Sequence, residues 1–328
     1  MGRHSHSATT LLAAAAVALG SCTAAPSAAP VPSSAPPRSS TVRSEAPGTI
    51  APSTPATAGT SETAPGGIRP TAYTTAVVHH GSDHPDDLAL DRTGSLIYSD
   101  YHNGTISRLY RDGTTEVLHR GLDGPEGLVP LRDGTLVVAE ENTNRVLAFA
   151  RGAAVAGVLR QLPGTPTTQT CHQGVDGIAW DARTSTLVVP DPVTGTIYRL
   201  TTDGREMVPL ASGFVHPVSA AVDPAGRVYV ADECGGDVWR LDAGGHRTRV
   251  ARAVMPDDVA LDGRGDLIVT DVRHTRHDVR AWRLAGGSPR TVARAGLVEP
   301  QGLLVTPTGE VWISDDVADV IVRAQPVS

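Results

Sequence analysis

One short sequence phrase recurs six times in this chain, and it sharply limits the folds that the chain can adopt. Each copy has a lead-in turn with Pro or Gly, an apolar strand, a tight turn, and a second apolar strand that ends in an acid. The copies begin at His84, Gly124, Gly174, His216, Met255 and Glu299, and their closing acids are Asp100, Glu140, Asp191, Asp232, Asp271 and Asp315. A period of about 40 to 50 residues with several short strands per repeat is typical of a β-propeller. The sequence therefore predicts an all-β, six-bladed β-propeller.

Four strands are predicted in each blade, with the fourth outermost. The last copy lacks this outer strand, because the chain ends at Ser328 soon after a third strand at residues 320–324. Residues 74–80 resemble the outer strand and lead-in turn that follow Thr114 in the first blade. We therefore predict that an N-terminal strand at about 74–80 completes the last blade and closes the ring without a free seam.

The first 22 residues have the pattern of an export signal. Arg3 supplies a positive end, and residues 8–19 form an apolar segment too short for a permanent membrane span. The segment ends in Leu-Gly-Ser-Cys, which resembles the lipobox of bacterial lipoproteins and implies a lipid on Cys22. The alternative is an ordinary secretory signal with a chance cysteine. Residues 23–69 are nearly all Ala, Pro, Ser and Thr and predict a disordered tether, which leaves residues 70–328 for the propeller.

These segments predict that the protein is exported and monomeric. The lipid on Cys22 would anchor it to the outer face of the cytoplasmic membrane, and no other contact with the membrane is expected. The absence of lysine and the many Ala, Gly and Pro residues are typical of a GC-rich bacterial genome such as an actinobacterial one. A net charge of −7 and only 4% aromatic residues argue against nucleic-acid binding. With Cys22 assigned to lipid, Cys171 and Cys234 remain as an even pair, and we predict a disulfide between them.

The residue after the Pro-like position of each lead-in turn is predicted to face the central channel. These axial residues are Asp86, Glu126, Asp176, Val218, Asp257 and Gln301. Four carboxylates aimed at one point repel one another unless protons or a cation neutralise them. Oxygen ligands on separate rigid loops suit Ca²⁺, with Mg²⁺ or Mn²⁺ as the other candidates. We therefore predict a divalent-metal site held by the four acids and Gln301.

Two alternatives to this metal site stay open at the level of sequence. The acids can instead form local hydrogen bonds in their own turns, as Asx turns do. In addition, Asp87 or Asp258 can exchange roles with the acid that precedes it.

The closing acids of the second strands are predicted to be architectural, because they recur in blades whose other residues differ. Their carboxylates can accept N–H bonds from the loop that follows. The histidines near the same rim are His84, His102, His172 and His216, any of which could act as a general base, and His172 and His102 are the best candidates. His172 lies beside Cys171 in the longest lead-in loop. The alternative for each is a surface histidine without a catalytic role.

The repeats resemble those of the NHL and gluconolactonase/regucalcin-like group of six-bladed propellers, over residues 74–325. The third copy, GVDGIAWDARTSTLVVPDPVTGTIYRL, is the most similar, with Asp-Gly where the family has Asn-Gly. The resemblance implies a divalent cation on axial residues, lactone hydrolysis with an axial Asp as base, and Asp176 at the family's Asn ligand position. Asp86 or Glu126 would stand for the family's first-blade Glu. The next blade departs from the family, because Val218 stands where the resemblance implies an Asp.

The leading interpretation is an exported, lipid-anchored propeller that binds Ca²⁺ and hydrolyses a lactone or related ester. Its candidate catalytic residues are Asp176, Asp257 and His172. The alternative is a non-catalytic binding or sensor propeller for a sugar-like ligand, a peptide or a surface protein. Val218 favours this alternative, and the converging acids favour the enzyme. A propeller lyase or cyclase is a third class that the sequence leaves open.

Overall fold

A computed structural model describes Pro70 and residues 72–81, 83–272, 279–283 and 289–327. The predicted signal peptide, Cys22 and the tether at 23–69 lie outside these described residues. Within the described part of the chain, no helix has the length and apolar character needed to cross a bilayer.

The described residues form six four-stranded antiparallel sheets, each of which is one blade. Strand β1 (Ala72–His80) precedes the first blade, which contains β2 (Pro85–Leu90), β3 (Leu96–Asp100), β4 (Thr105–Leu109) and β5 (Thr115–Arg120). The second blade contains β6 (Pro125–Pro130), β7 (Leu136–Glu140), β8 (Arg145–Phe149) and β9 (Gly157–Gln161), with a 3₁₀ turn at Glu141–Thr143 after β7. The third contains β10 (Ala179–Asp181), β11 (Thr186–Asp191), β12 (Thr196–Thr201) and β13 (Met207–Ser212).

The remaining blades follow the same order. The fourth contains β14 (Pro217–Val222), β15 (Val228–Asp232), β16 (Asp237–Leu241) and β17 (Arg247–Arg252). The fifth contains β18 (Pro256–Leu261), β19 (Asp266–Asp271), β20 (Val279–Arg283) and β21 (Arg290–Ala293). The sixth contains β22 (Pro300–Val305), β23 (Val311–Asp315) and β24 (Val320–Val327). The prediction of an all-β, six-bladed β-propeller with four-stranded blades is therefore confirmed.

The sixth blade takes its outermost strand from the N-terminal side of the domain. Its order is β22, β23, β24 and β1, and Thr74 lies opposite Gln325 while His80 lies opposite Val320. The pairing begins two residues earlier than the predicted strand, at Ala72 opposite Val327. The ring is thus held shut by hydrogen bonds between the two ends of the described domain.

The core lies between the blades, because the inner strands are apolar on both faces. The middle of each second strand carries a fully buried aliphatic residue, namely Ile97, Val138, Val188, Val230, Ile268 and Ile313. These residues join clusters that span two blades: Val137 packs with Leu187 of the third blade, and Ile268 packs with Leu303 of the sixth. Face-to-face packing of neighbouring blades accounts for the near-continuous apolar pattern of the inner strands.

The closing acids tie loops to the ends of their strands, as architectural residues would. Asp100 accepts an N–H bond from Asn103 in the following loop at 2.8 Å. Asp232, in contrast, accepts the backbone N–H of His216 in its lead-in loop at 2.7 Å, and Asp271 accepts that of Met255 at 3.0 Å. The sequence predicted bonds to the following loop, and the structure adds the lead-in loop of the same blade. These carboxylates are therefore committed to backbone donors.

Cys171 and Cys234 form the predicted disulfide, with their Cα atoms 5.9 Å apart. The bond joins the long loop between β9 and β10 to the loop that follows β15 in the fourth blade. Disulfides persist in oxidising compartments, so this bond is compatible with an exported protein.

Candidate functional site

The four axial acids and Gln301 line one cavity in the structure. Carboxylate oxygens of Asp86, Glu126 and Asp176 all lie within 4.8 Å of one another. With its amide nitrogen facing Asp257, Gln301 donates to that carboxylate at 2.9 Å. Asp86 and Glu126 are buried, and the other three residues are partly buried. The five residues that the sequence assigns to a metal site therefore lie around one small volume.

β-bulges in the first strands explain how these side chains leave the ladder. The pairing of the first strand with the second shifts in register directly after the Pro in five blades, for example between Pro85 and Leu88 and between Pro256 and Val259. A bulge re-aims the extra residue away from the regular alternation of the strand. In the third blade β10 begins only at Ala179, so Asp176 lies in the loop before the strand. In five blades the axial residue thus lies at a bulge that directly follows a Pro, and in the third blade it lies in a loop.

Asp87 and Asp258 do not exchange roles with their neighbours. The Asp87 carboxylate accepts the backbone N–H of Leu128 in the next blade at 2.7 Å, and Asp258 accepts that of Leu303 at 2.7 Å. Each acid therefore connects its own blade to the following one. Burial, reinforced by Asp258, raises the pKa of Asp87 to about 8.

Glycines allow the inner strands to approach each other closely at this level of the channel. A Cβ atom on Gly127 would lie 2.5 Å from the carbonyl oxygen of Asp176, and one on Gly302 would lie 2.4 Å from that of Asp86. Any larger residue would force neighbouring blades apart just below the axial acids. The glycine after the axial residue thus helps to keep the carboxylates near one another.

A second set of inward-facing residues was missed at the level of sequence. They directly follow the closing acids, and they include Tyr101, Glu141, Glu233 and Asp316. Successive residues of a strand point to opposite sides, so the closing acid faces its blade while the next residue faces the cavity. That alternation was the available signal, but the residue type at this position varies among blades and the repeat alone did not mark it.

The acidic cavity has two adjoining parts that share Asp86, Glu126, Glu141, Gln173 and Gln301. The inner part has a volume of about 130 Å³ and the outer part about 340 Å³. The loop between β9 and β10 forms one wall of the outer part through residues 166–168 and 173–174. The disulfide fixes this loop, so it also fixes the wall of the cavity.

The three histidines of interest occupy different places. His172, a predicted catalytic residue, is exposed and is not among the residues that line the cavity. His102 lines the outer part, with its ring centre 4.7 Å from that of His84. His216 lines the inner part and is only 1% exposed. The structure therefore does not bring His172 to Asp176 and Asp257, and it places His216 there instead.

Burial and mutual repulsion disfavour the charged forms of the axial acids. Burial raises the pKa values of Asp86, Glu126, Asp176 and Asp257 well above their usual range, and neighbouring carboxylates raise them further. Burial also raises the pKa of Glu141 to about 7 and that of Asp316 to about 6. Without a cation, some of these groups hold protons near neutral pH.

The cation-free protein should become less stable as the pH rises from 5 to 8. A carboxyl with a higher pKa in the folded protein binds more protons when folded, so stability falls between the unfolded and folded pKa values. For Glu141 that window runs from about 4 to about 7, and for Asp87 from about 4 to about 8. Carboxyls with lowered pKa values, such as Asp91, are already ionised above pH 5.

Melting temperatures measured from pH 5 to 8 in metal-depleted buffer check this expectation. The titration of His84, whose pKa is raised by its bond to the Asp316 carbonyl, acts in the same direction. The titration of partly buried His119, whose pKa is lowered by desolvation, acts in the opposite one. A melting temperature that rises steadily over this range would contradict the pKa directions given above.

The donor set fits a hard divalent cation. Glu126 Oε2 is buried and has no hydrogen-bond partner among the described residues. An unpartnered buried carboxylate oxygen is costly unless a proton or a cation satisfies it. Several carboxylate oxygens and one amide oxygen match the ligands that Ca²⁺ takes in proteins. Asp86, Glu126, Asp176, Asp257 and Gln301 are the residues that could hold such an ion.

Comparison with known proteins identifies related folds among solved structures. A putative gluconolactonase superimposes with a TM-score of 0.62 at 12% identity, covering 78% of this chain and 93% of that one. A protein of unknown function from Bacteroides thetaiotaomicron superimposes with a TM-score of 0.61 at 13% identity, covering 77% of this chain and 76% of that one. This chain has the same propeller fold. A streptogramin B lyase also superimposes, with a TM-score of 0.57 at 15% identity over 73% of this chain and 78% of that one.

The likeness is one of structure. No family model matches the sequence, and no curated protein matches it. At these identities the shared feature is the six-bladed propeller itself, and two enzyme names with different chemistries stand among the similar structures. The chemistry of this chain must therefore be argued from its own residues.

Proposed function

We propose that this protein binds a divalent cation, Ca²⁺ in the first instance, in its axial carboxylate cluster and hydrolyses a lactone or related ester in the adjoining cavity. The observation that carries the proposal is the convergence of Asp86, Glu126 and Asp176, whose oxygens lie within 4.8 Å of one another. The unpartnered Glu126 Oε2 supports it, because a cation would satisfy that oxygen. The putative gluconolactonase among the similar structures supports the reaction class only by analogy of fold.

Each part of the cavity has a role in this proposal. When bound, the cation supplies Lewis-acid polarisation of the ester carbonyl. Asp86, Glu126, Asp176, Asp257 and Gln301 would hold it. Tyr101, Glu141 and Asp316 line the outer part, where hydroxyl groups of a sugar-like substrate would find hydrogen-bond acceptors.

A second function, ligand binding without catalysis, is favoured by Val218. This side chain is 2% exposed and packs among apolar residues of the fourth and fifth blades, so the fourth blade contributes no axial carboxylate. In that case the cation would hold a sugar-like ligand or a surface protein and would not activate a carbonyl. We further propose that the protein is exported and that the lipid on Cys22 is its only link to the membrane.

Cation binding and hydrolysis can be tested together on the purified protein. We expect about one Ca²⁺ per chain by metal analysis, and a rise in melting temperature of about 5 °C or more at a hundredfold excess over Kd. We also expect hydrolysis of at least one member of a panel of γ- and δ-lactones that stops when the cation is chelated. Cation binding without hydrolysis supports the binding function, and the absence of both overturns the proposal.

A further inference from the structure

His216 and Glu233 form a buried pair in the inner part of the acidic cavity. Nδ1 of His216 lies 2.9 Å from Oε2 of Glu233. The side chain of His216 is 2% exposed and that of Glu233 is 12% exposed. Both line the inner cavity of about 130 Å³ together with Asp176 and Asp257. The other ring nitrogen of His216, Nε2, is buried and has no hydrogen-bond partner among the described residues.

The backbone holds this pair in a fixed arrangement. The N–H of His216 donates to Asp232 at 2.7 Å, and the N–H of Glu233 donates to the carbonyl oxygen of His216 at 2.9 Å. The residue after Glu233 is Cys234, which the disulfide joins to Cys171. Three constraints thus act within a few residues of the imidazole. A side chain held so firmly is oriented in advance for contact with a ligand.

An unpartnered Nε2 is what separates this histidine from an architectural one. A buried histidine with a purely structural role normally uses both ring nitrogens, since an unsatisfied buried polar atom is costly. Here the carboxylate of Glu233 uses Nδ1, and Nε2 is left without a partner on a side chain that lines the inner cavity. A carboxylate on Nδ1 with a free Nε2 is the arrangement of a histidine that exchanges protons in hydrolases.

The same geometry argues against a role for His216 in the metal site. The group of three mutually close carboxylates contains Asp86, Glu126 and Asp176 and does not include a nitrogen of His216. His216 does lie close to Glu233 and to Sγ of Cys234, but that sulfur is already bonded to Cys171. The imidazole is therefore beside the carboxylate cluster, at a place suited to proton transfer.

We propose that Nε2 of His216 is the proton acceptor, and then the proton donor, of the hydrolysis carried out in this cavity, and that Glu233 is the positioning residue that orients it. This proposal rests on the proposed hydrolase function. It replaces His172, which the sequence favoured, with a histidine from the lead-in turn of the fourth blade. It also supplies a proton-transfer group in the blade where Val218 takes the axial position.

The bonds and protons of the proposed hydrolysis balance. A water oxygen forms a bond to the ester carbonyl carbon, and Nε2 of His216 takes the proton that this water loses. The tetrahedral intermediate then breaks its bond to the alkoxy oxygen, which accepts the proton back from Nε2. One ester and one water become one carboxylic acid and one alcohol, which in a lactone are parts of the same molecule. His216 ends in the form in which it began.

Several charged groups surround the pair and would influence its proton transfers. Glu233 contacts the imidazole directly, and Glu141 of the second blade interacts with it electrostatically. Glu233 in turn interacts with Asp176 and Asp257.

Kinetics of His216→Gln test the proposal where the wild-type protein hydrolyses a lactone. We expect kcat to fall about 100-fold or more with little change in KM or in the Ca²⁺-induced shift of the melting temperature. The matched control is His246→Gln in the same blade, because His246 also has Nδ1 3.2 Å from a carboxylate, that of Asp242, but lies exposed on a turn. Added imidazole should partly restore the activity of His216→Gly. An unchanged kcat in His216→Gln, or a loss in His172→Gln alone, overturns the proposal.

Glu233→Gln tests the positioning role separately. We expect kcat to fall about tenfold or more with KM retained, because a neutral amide can donate to Nδ1 as well as accept from it and so no longer fixes the tautomer of the ring. A structural role alone would lower the melting temperature of Glu233→Gln and leave kcat and its pH profile unchanged, and that result would overturn the assignment of Glu233.

Nitrogen NMR of the histidine rings tests the tautomer of His216 and its role beside the metal site even if no lactone is hydrolysed. At pH 8 we expect the resonance of His216 to report Nδ1–H and an unprotonated Nε2, and Glu233→Gln to change this tautomer. Addition of Ca²⁺ or Cd²⁺ should leave Nε2 without a coordination shift. The opposite tautomer overturns the proposal, as does direct coordination of the ion by Nε2. Failure of the hydrolase function would appear separately, as a wild-type protein without activity on the lactone panel.

Discussion

A chain that begins at Gly81 is expected to melt about 10 °C or more below a chain that begins at Pro70. The two differ only by β1 and its immediate flank, so the comparison isolates the strand that closes the ring. Its removal breaks eight residue pairs with β24. It also removes Tyr73 and Val78, which pack against the cores of the sixth and first blades.

The size of this effect follows from the contacts that are lost. Each lost hydrogen bond costs about 1 kcal/mol net, partly offset by the chain entropy that the strand regains, and the two apolar contacts add to the loss. A net loss of several kcal/mol is a large share of the stability of a typical domain. For a domain of this size, each kcal/mol shifts the melting temperature by about 2–4 °C.

Thermal melting of the two chains, followed by near-ultraviolet circular dichroism, checks the closure. A peptide of residues 70–81 added to the shorter chain should restore part of the lost stability. The shorter chain should also aggregate more readily, because β24 becomes an exposed edge. Equal melting temperatures for both chains would show that β1 contributes nothing to the closed ring.

Asp176→Asn is expected to change the melting temperature in opposite directions with and without a cation. In cation-free protein at pH 8, the substitution removes a charge that burial and its neighbours Glu141 and Glu233 disfavour, so the variant should be more stable by at least about 1 kcal/mol. With Ca²⁺ present, the variant lacks one ligand and should lose most of the cation-induced rise. The melting temperature of the variant is therefore expected to lie above that of the wild type without Ca²⁺ and below it once Ca²⁺ is bound.

Asp112→Asn is the matched control for this comparison. It makes the same change in charge on an exposed turn between β4 and β5, and Asp112 lines neither part of the acidic cavity. Its melting temperature should follow that of the wild type at every Ca²⁺ concentration. If Asp176→Asn retains the full cation-induced rise, then Asp176 is not a ligand and the axial site must be reassigned.

The architecture could be predicted because it is repeated. Six copies of one phrase give the same local conformation six times, and a strand missing at one end matched a spare strand at the other. The axial position could be predicted for the same reason, since the residue after the Pro-like position recurs in every copy and follows a Pro at a bulge in five of the six blades. Asp87 and Asp258 show the limit of this approach. Which of two adjacent acids turns inward depends on backbone donors from the next blade, which a linear sequence does not display.

The unrepeated parts of the site could not be predicted in the same way. His216 occupies the same position of the phrase as His84, yet His84 bonds to the Asp316 carbonyl oxygen and His216 lies inside the cavity. Its importance depends on Glu233, and the residue type at that position of the phrase varies among the blades. His172 was favoured because it follows a disulfide cysteine, but its loop turns that side chain toward solvent.

The composite sixth blade has a consequence for how the protein is made. Strand β1 leaves the ribosome before any other strand of the propeller, and its partner β24 leaves last. Contacts between residues so distant in the chain form late, since the intervening chain must first be ordered. The ring can therefore close only on a complete polypeptide. A product truncated before residue 320 would lack β24, so it would keep an unpaired β1 and an incomplete sixth blade, and both would mark it for quality-control proteases.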